Sequence, residues 1–207
     1  MSQLNLKRCA QALVITSLLA GCGGTDTGEP AAHEPVTQAA QHCVMNVMPF
    51  TPGEPLPASD TVPAPKCFTS FPEAISFATG GTVRLPATAN PKDLKESDLK
   101  SVHQAAPNEI VIGIEYEDRW TASAYSGNSI VFVSTYGGCG SLFVPSMPAG
   151  WNDIISSSRS FAGCNHSYHY QNDNGPATGP NPSIDCGGGC TGMGVMDNQT
   201  SSIFWTQ

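Results

Sequence analysis

The sequence predicts an all-β fold of two Greek-key units forming a sandwich, preceded by a small segment with one helix. Glycine (21) and proline (17) are abundant and charged residues make up only 13% of the 207, a balance that suits turns and strands and excludes a helical bundle. The apolar runs in the second half are short: 110–114 (IVIGI), 130–133 (IVFV) and 142–144 (LFV), each bounded by Gly, Asn, Ser or Pro, as strands joined by turns are. Residues 152–157 (NDIISS) and 197–202 (DNQTSS) match class for class at an offset of 45, and Tyr125 and Tyr170 are also 45 apart. A period of that length holding several strands denotes a duplicated supersecondary element. For short antiparallel strands that element is the four-stranded Greek key, and two of them packed face to face make a sandwich. The length suits one domain, or a small domain with a tail, and excludes a large multidomain enzyme.

In chain order, Lys7 and Arg8 precede an apolar stretch, 12–20 (ALVITSLLA), shorter than the roughly 20 residues that cross a bilayer. This reads as a secretory signal over residues 1–21. Residues 19–22 (LAGC) resemble the lipobox of bacterial lipoproteins. The resemblance implies export from the cytoplasm, acylation of Cys22 as the new N-terminus, and a membrane anchor in the bacterial cell envelope. A soluble secreted protein cleaved nearby is the alternative. Without residues 1–21 the chain carries seven Lys and Arg against seventeen Asp and Glu, a net charge of −10. So few cations cannot track a phosphate backbone, and nucleic acid is not expected as a partner. Residues 22–42 are small and polar without apolar period and read as a flexible tether.

Of eight cysteines, Cys9 leaves with the signal and Cys22 carries lipid. Cys43, Cys67, Cys139, Cys164, Cys186 and Cys190 remain, an even set in an oxidising compartment. Six cysteines allow 15 connectivities; proximity along the chain favours 43–67, 139–164 and 186–190. Zinc is the competing use, but the one close pair, Cys186 and Cys190, lacks a second pair of ligands at finger-like spacing. In the region 43–108, Ser70 and Glu73 form a capping box with Pro72 inside the first turn. Ala74, Ile75, Phe77 and Ala78 follow, and Gly80-Gly81 stop the helix. Residues 82–85 (TVRL) read as a strand, and 90–100 as a polar run.

Each repeated hexapeptide offers two Asn/Asp side chains, two unrestricted residues and two serines. These donors are hard oxygens, which suit calcium and its six to eight oxygen ligands, and suit zinc or copper poorly. Asx and Ser residues also cap turns through local hydrogen bonds, but duplication at a fixed period favours a shared purpose. The hexapeptide resembles the (N/D)-(N/D)-x-x-(S/T)-S motif of microbial βγ-crystallin domains. Residues 148–151 (PAGW) and 203–205 (IFW) are similar to that family's flanking sequences, as is the aromatic hairpin of Trp120, Tyr125 and Gly127. The second repeat departs from the hairpin spacing, with Tyr168, Tyr170 and Gly175. The resemblance covers about residues 109–207.

It implies calcium between the units, held by the main-chain carbonyls of Ile154 and Gln199 and the hydroxyls of Ser156 and Ser201. Asn152, Asp153, Asp197 and Asn198 would supply side-chain oxygens and fix the loops, and a further ligand would come from each hairpin, at Glu117 and Asn172.

His166 and His169, three apart, point to opposite faces if they lie on a strand, so they read as surface or core histidines. No Gly-x-Ser-x-Gly elbow, His-Glu-x-x-His pair or phosphate-binding loop occurs, and an enzyme is not expected. Two function classes remain. One is a non-enzymatic calcium-binding lipoprotein of the envelope with a structural or adhesive role. The other is a peptidase (metalloproteinase) inhibitor of the same fold, presenting the Pro- and Gly-rich loop 172–190 to a protease partner.

Overall fold

A computed structural model describes residues 41–51, 53–55, 62–99, 109–118 and 124–207. The signal, the anchor at Cys22, the tether up to residue 40 and Trp120 lie outside the described residues. Among the described residues eleven strands form two sheets: β1 (His42–Asn46), β2 (Met48–Pro49), β3 (Lys66–Phe68), β4 (Ile110–Tyr116), β5 (Ser129–Ser134), β6 (Leu142–Val144), β7 (Ser157–Ser160), β8 (His166–Tyr170), β9 (Ser183–Asp185), β10 (Gly189–Cys190) and β11 (Ser202–Thr206). The six-stranded sheet runs β10-β7-β4-β5-β1-β3 and the five-stranded sheet β2-β6-β11-β8-β9. Four strands from β4 and four from β8 therefore make two Greek keys, each lending its third strand, β6 or β10, to the other's sheet. The three apolar runs are β4, β5 and β6. Helix after residue 110 is confined, among the described residues, to the single turns Gly175–Ala177 and Gly194–Met196.

The segment before residue 109 extends both sheets. β1, beginning at the last residue assigned to the tether, lies parallel to β5 from His42 opposite Ser129 to Asn46 opposite Val133. Two residues on, β2 pairs with β6 in the other sheet. The alternation of β1 places Cys43 and Met45 in the core between the sheets and Val44 on the outer face. Cys43 and Cys67 are cross-strand partners of β1 and β3 and are bridged. Cys139–Cys164 and Cys186–Cys190 are the other two disulfides, so all three follow proximity along the chain.

The helix α1 (Phe71–Ala78) starts where the capping box predicts. The Ser70 hydroxyl accepts the Glu73 amide at 3.4 Å. Phe71, Ala74, Ile75 and Ala78, at i, i+3, i+4 and i+7, are buried in a second core with Val44, Val131 and Val133, on the outer face of the six-stranded sheet. Ser70→Ala should cost about 1 kcal/mol, read as a melting point lower by about 2–4 °C; an unchanged melt would show that packing alone sets the helix start. Residues 82–85, expected as a strand, pair with no strand. The Val83 amide instead donates to Thr79 Oγ1 at 3.2 Å and its side chain is buried in the second core. The apolar pattern there reports burial beside the helix end, not a ladder.

Candidate metal centre at the paired hexapeptides

The two hexapeptides lie against each other about a local twofold. The second residue of each takes the left-handed conformation, Asp153 at φ 60° and Asn198 at φ 55°, a region that Asn and Asp tolerate best among residues other than glycine. Asp153 N donates to Thr200 O at 3.2 Å and Asn198 N to Ile155 O at 3.0 Å, so the second residue of each copy binds the fourth of the other. Ser156 Oγ donates to Asn198 Oδ1 at 3.0 Å, which brings a hydroxyl of the first copy beside an amide oxygen of the second. Asn152 Nδ2 donates to Asp153 Oδ2 at 3.0 Å. Asn152, Asp153 and Asn198 are exposed, Ile154, Asp197 and Gln199 half-buried, and Ser156 and Ser201 buried.

The serines do two different jobs. The fifth of each copy anchors to the strand before the hairpin: Ser156 N donates to Tyr116 O at 2.9 Å and Ser201 N to Tyr170 O at 2.8 Å. The sixth is turned inward to hold the hairpin itself. Ser157 Oγ donates to Asp118 O at 2.6 Å and accepts from Tyr125 N at 3.2 Å; Ser202 Oγ donates to Asn172 O at 2.7 Å and accepts from Gly175 N at 3.0 Å.

These pairings define the equivalences between units. Tyr116 corresponds to Tyr170, Asp118 to Asn172, and Tyr125 to Gly175. The match of Tyr125 with Tyr170 at the hexapeptide period is therefore a coincidence of numbering, because the second hairpin is shorter. In the first unit the rings of Tyr116 and Tyr125 pack at 5.4 Å. In the second, Gly175 lies so close under Tyr170 that a Cβ there would be 2.8 Å from the ring. A glycine thus replaces the second aromatic of the hairpin, which explains the departure in spacing.

The counterpart of Glu117 is then Gln171, which sequence spacing did not reveal. Gln171 Nε2 donates to Gln199 Oε1 at 2.9 Å, joining the hairpin to the third residue of the second hexapeptide. Asn172 is engaged elsewhere: its amide and side chain both donate to Asn181 Oδ1, each at 3.1 Å. Glu117, exposed, accepts from Asn128 N at 3.4 Å.

The donor chemistry around the hexapeptides is oxygen throughout, with carboxylate, amide, hydroxyl and main-chain carbonyl represented. Among the described residues no cluster of three or more His, Cys, Asp or Glu side chains forms. A softer metal therefore has no site there, whereas a hard cation can use the neutral oxygens. Ser156 Oγ and Asn198 Oδ1 also stand at a separation suited to neighbouring ligands of one calcium, whose shell oxygens lie roughly 3 Å apart.

The histidines of β8 face opposite ways, as alternation requires. His166, on the outer face, bonds Asp185 at 2.7 Å; His169, wholly buried between the sheets, bonds Glu115 at 3.0 Å. The loop 172–190 is held at its end by the Cys186–Cys190 bridge and by Asp185, which accepts from Gly187 N at 2.8 Å. Partial burial opposes ionisation of that carboxyl, but the bonds from Gly187 and His166 outweigh it and hold Asp185 below the usual carboxylate range.

No helix among the described residues is long and apolar enough to cross a membrane. No family model matches the chain, and no curated protein does. Among solved structures it is similar to a betagamma-crystallin from an Archaea, at 22% identity over 46% of this chain and 96% of that one, with a TM-score of 0.31. By its own strand order, the second half of the chain is an all-β pair of interlocked Greek-key units.

Proposed function

We propose that the protein is a non-enzymatic calcium-binding module, tethered to the bacterial cell envelope through lipid on Cys22. The observation that carries the calcium reading is the reciprocal bonding of the hexapeptides, which gathers two copies of the same oxygen-rich loop into one twofold patch on an acidic protein. Ile154, Ser156, Gln199 and Ser201 supply carbonyl and hydroxyl oxygens in this reading, with Asn152, Asp153, Asp197 and Asn198 shaping the loops. Glu117 and Gln171 are the equivalent hairpin positions. Only one carboxylate comes from each hexapeptide, so affinity belongs in the weak extracellular range, about 10⁻⁵ to 10⁻³ M.

Calcium binding to the folded form stabilises it by about 2.7 kcal/mol when the free ion is 100 times Kd, a rise of about 5–11 °C in the melting point. Titration calorimetry and melts with calcium or chelator test this. Ser156→Ala and Ser201→Ala, which remove a buried hydroxyl without adding bulk or charge, should each weaken one site and leave the fold. Gln171→Glu should tighten the second site, because it restores the carboxylate found at Glu117. A melt indifferent to millimolar calcium, with no heat of binding, sinks the reading and shifts weight to a protease inhibitor acting through loop 172–190. The anchor is tested separately: Cys22→Ser should move the protein from the membrane to the soluble fraction and abolish labelling by a fatty-acid analogue.

A further inference from the structure

His42 is the first residue of β1, and with it the chain enters the six-stranded sheet between β5 and β3. Alternation turns its side chain to the same face as Val44, toward the second core and α1. The residue is only 6% exposed. Its ring nitrogen Nδ1 lies 2.8 Å from Ser129 Oγ of β5, and the ring meets that of Phe71 edge-on at 5.7 Å between centroids. Phe71 opens α1, so the imidazole stands beside the end of the helix that carries the positive pole.

An imidazolium in this place has no counter-charge. Lys66 of β3 lies over Phe77, Glu73 of α1 lines the outer cleft beside Phe77, and Glu115 of β4 faces the other core, bonded to His169. Among the described residues no carboxylate bonds the His42 ring. The Ser129 hydroxyl can turn round to accept from a protonated Nδ1, so one bond survives, but the charge itself is taken out of water unpaired. Burial accordingly holds the His42 pKa below its ordinary value of 6.5.

The neutral ring closes the entry of the chain. Ser129, its partner, also donates its amide to Gln41 O at 3.0 Å, and Gln41 N donates to Asn128 Oδ1. Beyond His42 the strand is secured by other means, since Cys43 is bridged to Cys67 and Val47 N donates to Val133 O at 2.9 Å. We propose that His42 is an acid-operated latch: protonation of its imidazole frees Gln41 and His42 from β5 and loosens the start of α1 above them, while the two sheets stay closed. The latch is separate from the hexapeptides and needs no calcium. The closed form binds fewer protons at His42 than the open form, so closure is complete above the ordinary histidine pKa and weakens as pH falls toward the lowered one, by up to roughly tenfold per pH unit.

The test is amide hydrogen exchange of the full-length protein followed by NMR between about pH 7 and pH 5, corrected for the intrinsic pH dependence of exchange, beside titration of the His42 ring. Protection of the Ser129 amide should fall by up to roughly tenfold per pH unit, with the Val47 amide as the unchanged reference, and the ring should titrate below the ordinary histidine range. His42→Phe keeps a ring against Phe71 and carries no proton there, so it should abolish the pH dependence at Ser129. Ser129 protection indifferent to pH, an equal loss at Val47, the same dependence in His42→Phe, or a ring that titrates at or above the ordinary range overturns the proposal.

Discussion

Glu115→Ala is expected to destabilise the protein by about 3–5 kcal/mol, the cost of leaving one partner of a buried pair alone. In a domain of this size that is a melting point lower by about 6–20 °C. Glu115 projects from β4 into the space between the sheets, where it and His169 of β8 are both fully buried and joined at 3.0 Å. Its other oxygen accepts from Ser158 Oγ at 3.0 Å, and His169 Nδ1 lies 3.2 Å from Ser167 O. The Nε2–Oε2 bond needs one proton, whichever atom carries it, and removing the carboxyl strands both His169 Nε2 and the Ser158 hydroxyl without that partner in the buried core. The specific outcome lies in the rescue. Replacing the network together, Glu115→Leu with His169→Leu and Ser158→Ala, should recover most of the loss, because well-packed apolar groups substitute for a buried pair at little cost. If the triple variant is as unstable as Glu115→Ala, the network holds the sheets by more than mutual compensation.

Trp205→Ala should cost about 3–5 kcal/mol, as deletion of a large buried side chain does. The indole is wholly buried and packs on Phe132 at 5.0 Å between ring centroids, spanning the two sheets. It fits only because residue 113 has no side chain: a Cβ there would be 2.8 Å from Trp205 Nε1. Gly113→Ala should therefore cost about 1–3 kcal/mol in the native background through overpacking. In the Trp205→Ala background the same change should be neutral or stabilising, since alanine is favoured over glycine within a strand by roughly 0.5–1 kcal/mol. Denaturant unfolding of the four proteins closes the cycle. Additive costs at the two positions would mean that glycine serves the backbone of β4 and not the indole.

Both residues reach the inter-sheet core through one irregularity. The register of β4 against β5 shifts between Val111 and Gly113. Without it, strict alternation from Ile110 would place Ile114 in the core with Ile112. With it, Ile114 and Tyr116 turn to the outer core under α1, while Gly113 and Glu115 turn inward. A bulge inserts one unpaired residue and reverses the parity of everything after it. The run IVIGI gives no sign of this, because every residue in it suits either face.

Local chemistry wrote much of the rest into the chain. The start of α1 follows from a serine, a proline and a glutamate within four residues; β4, β5 and β6 follow from short apolar runs between turn residues; the disulfides follow from closeness in sequence. The hexapeptides were legible because each is a contiguous run of residues repeated at a fixed offset. Pairing at a distance was not legible. That β1 lies parallel to β5, that Gln171 and not Asn172 answers Glu117, and that Gly175 takes the place of an aromatic all depend on which strands meet and how long each hairpin is. The sequence by itself determined the helix start, the apolar strands β4 to β6 and the repeated loop, since those are set within a few residues, and nearness in the chain favoured the cross-links that form. The tertiary structure decided register, strand order and the burial of Glu115 against His169, since those follow from the joint packing of two sheets, which no short stretch of chain encodes.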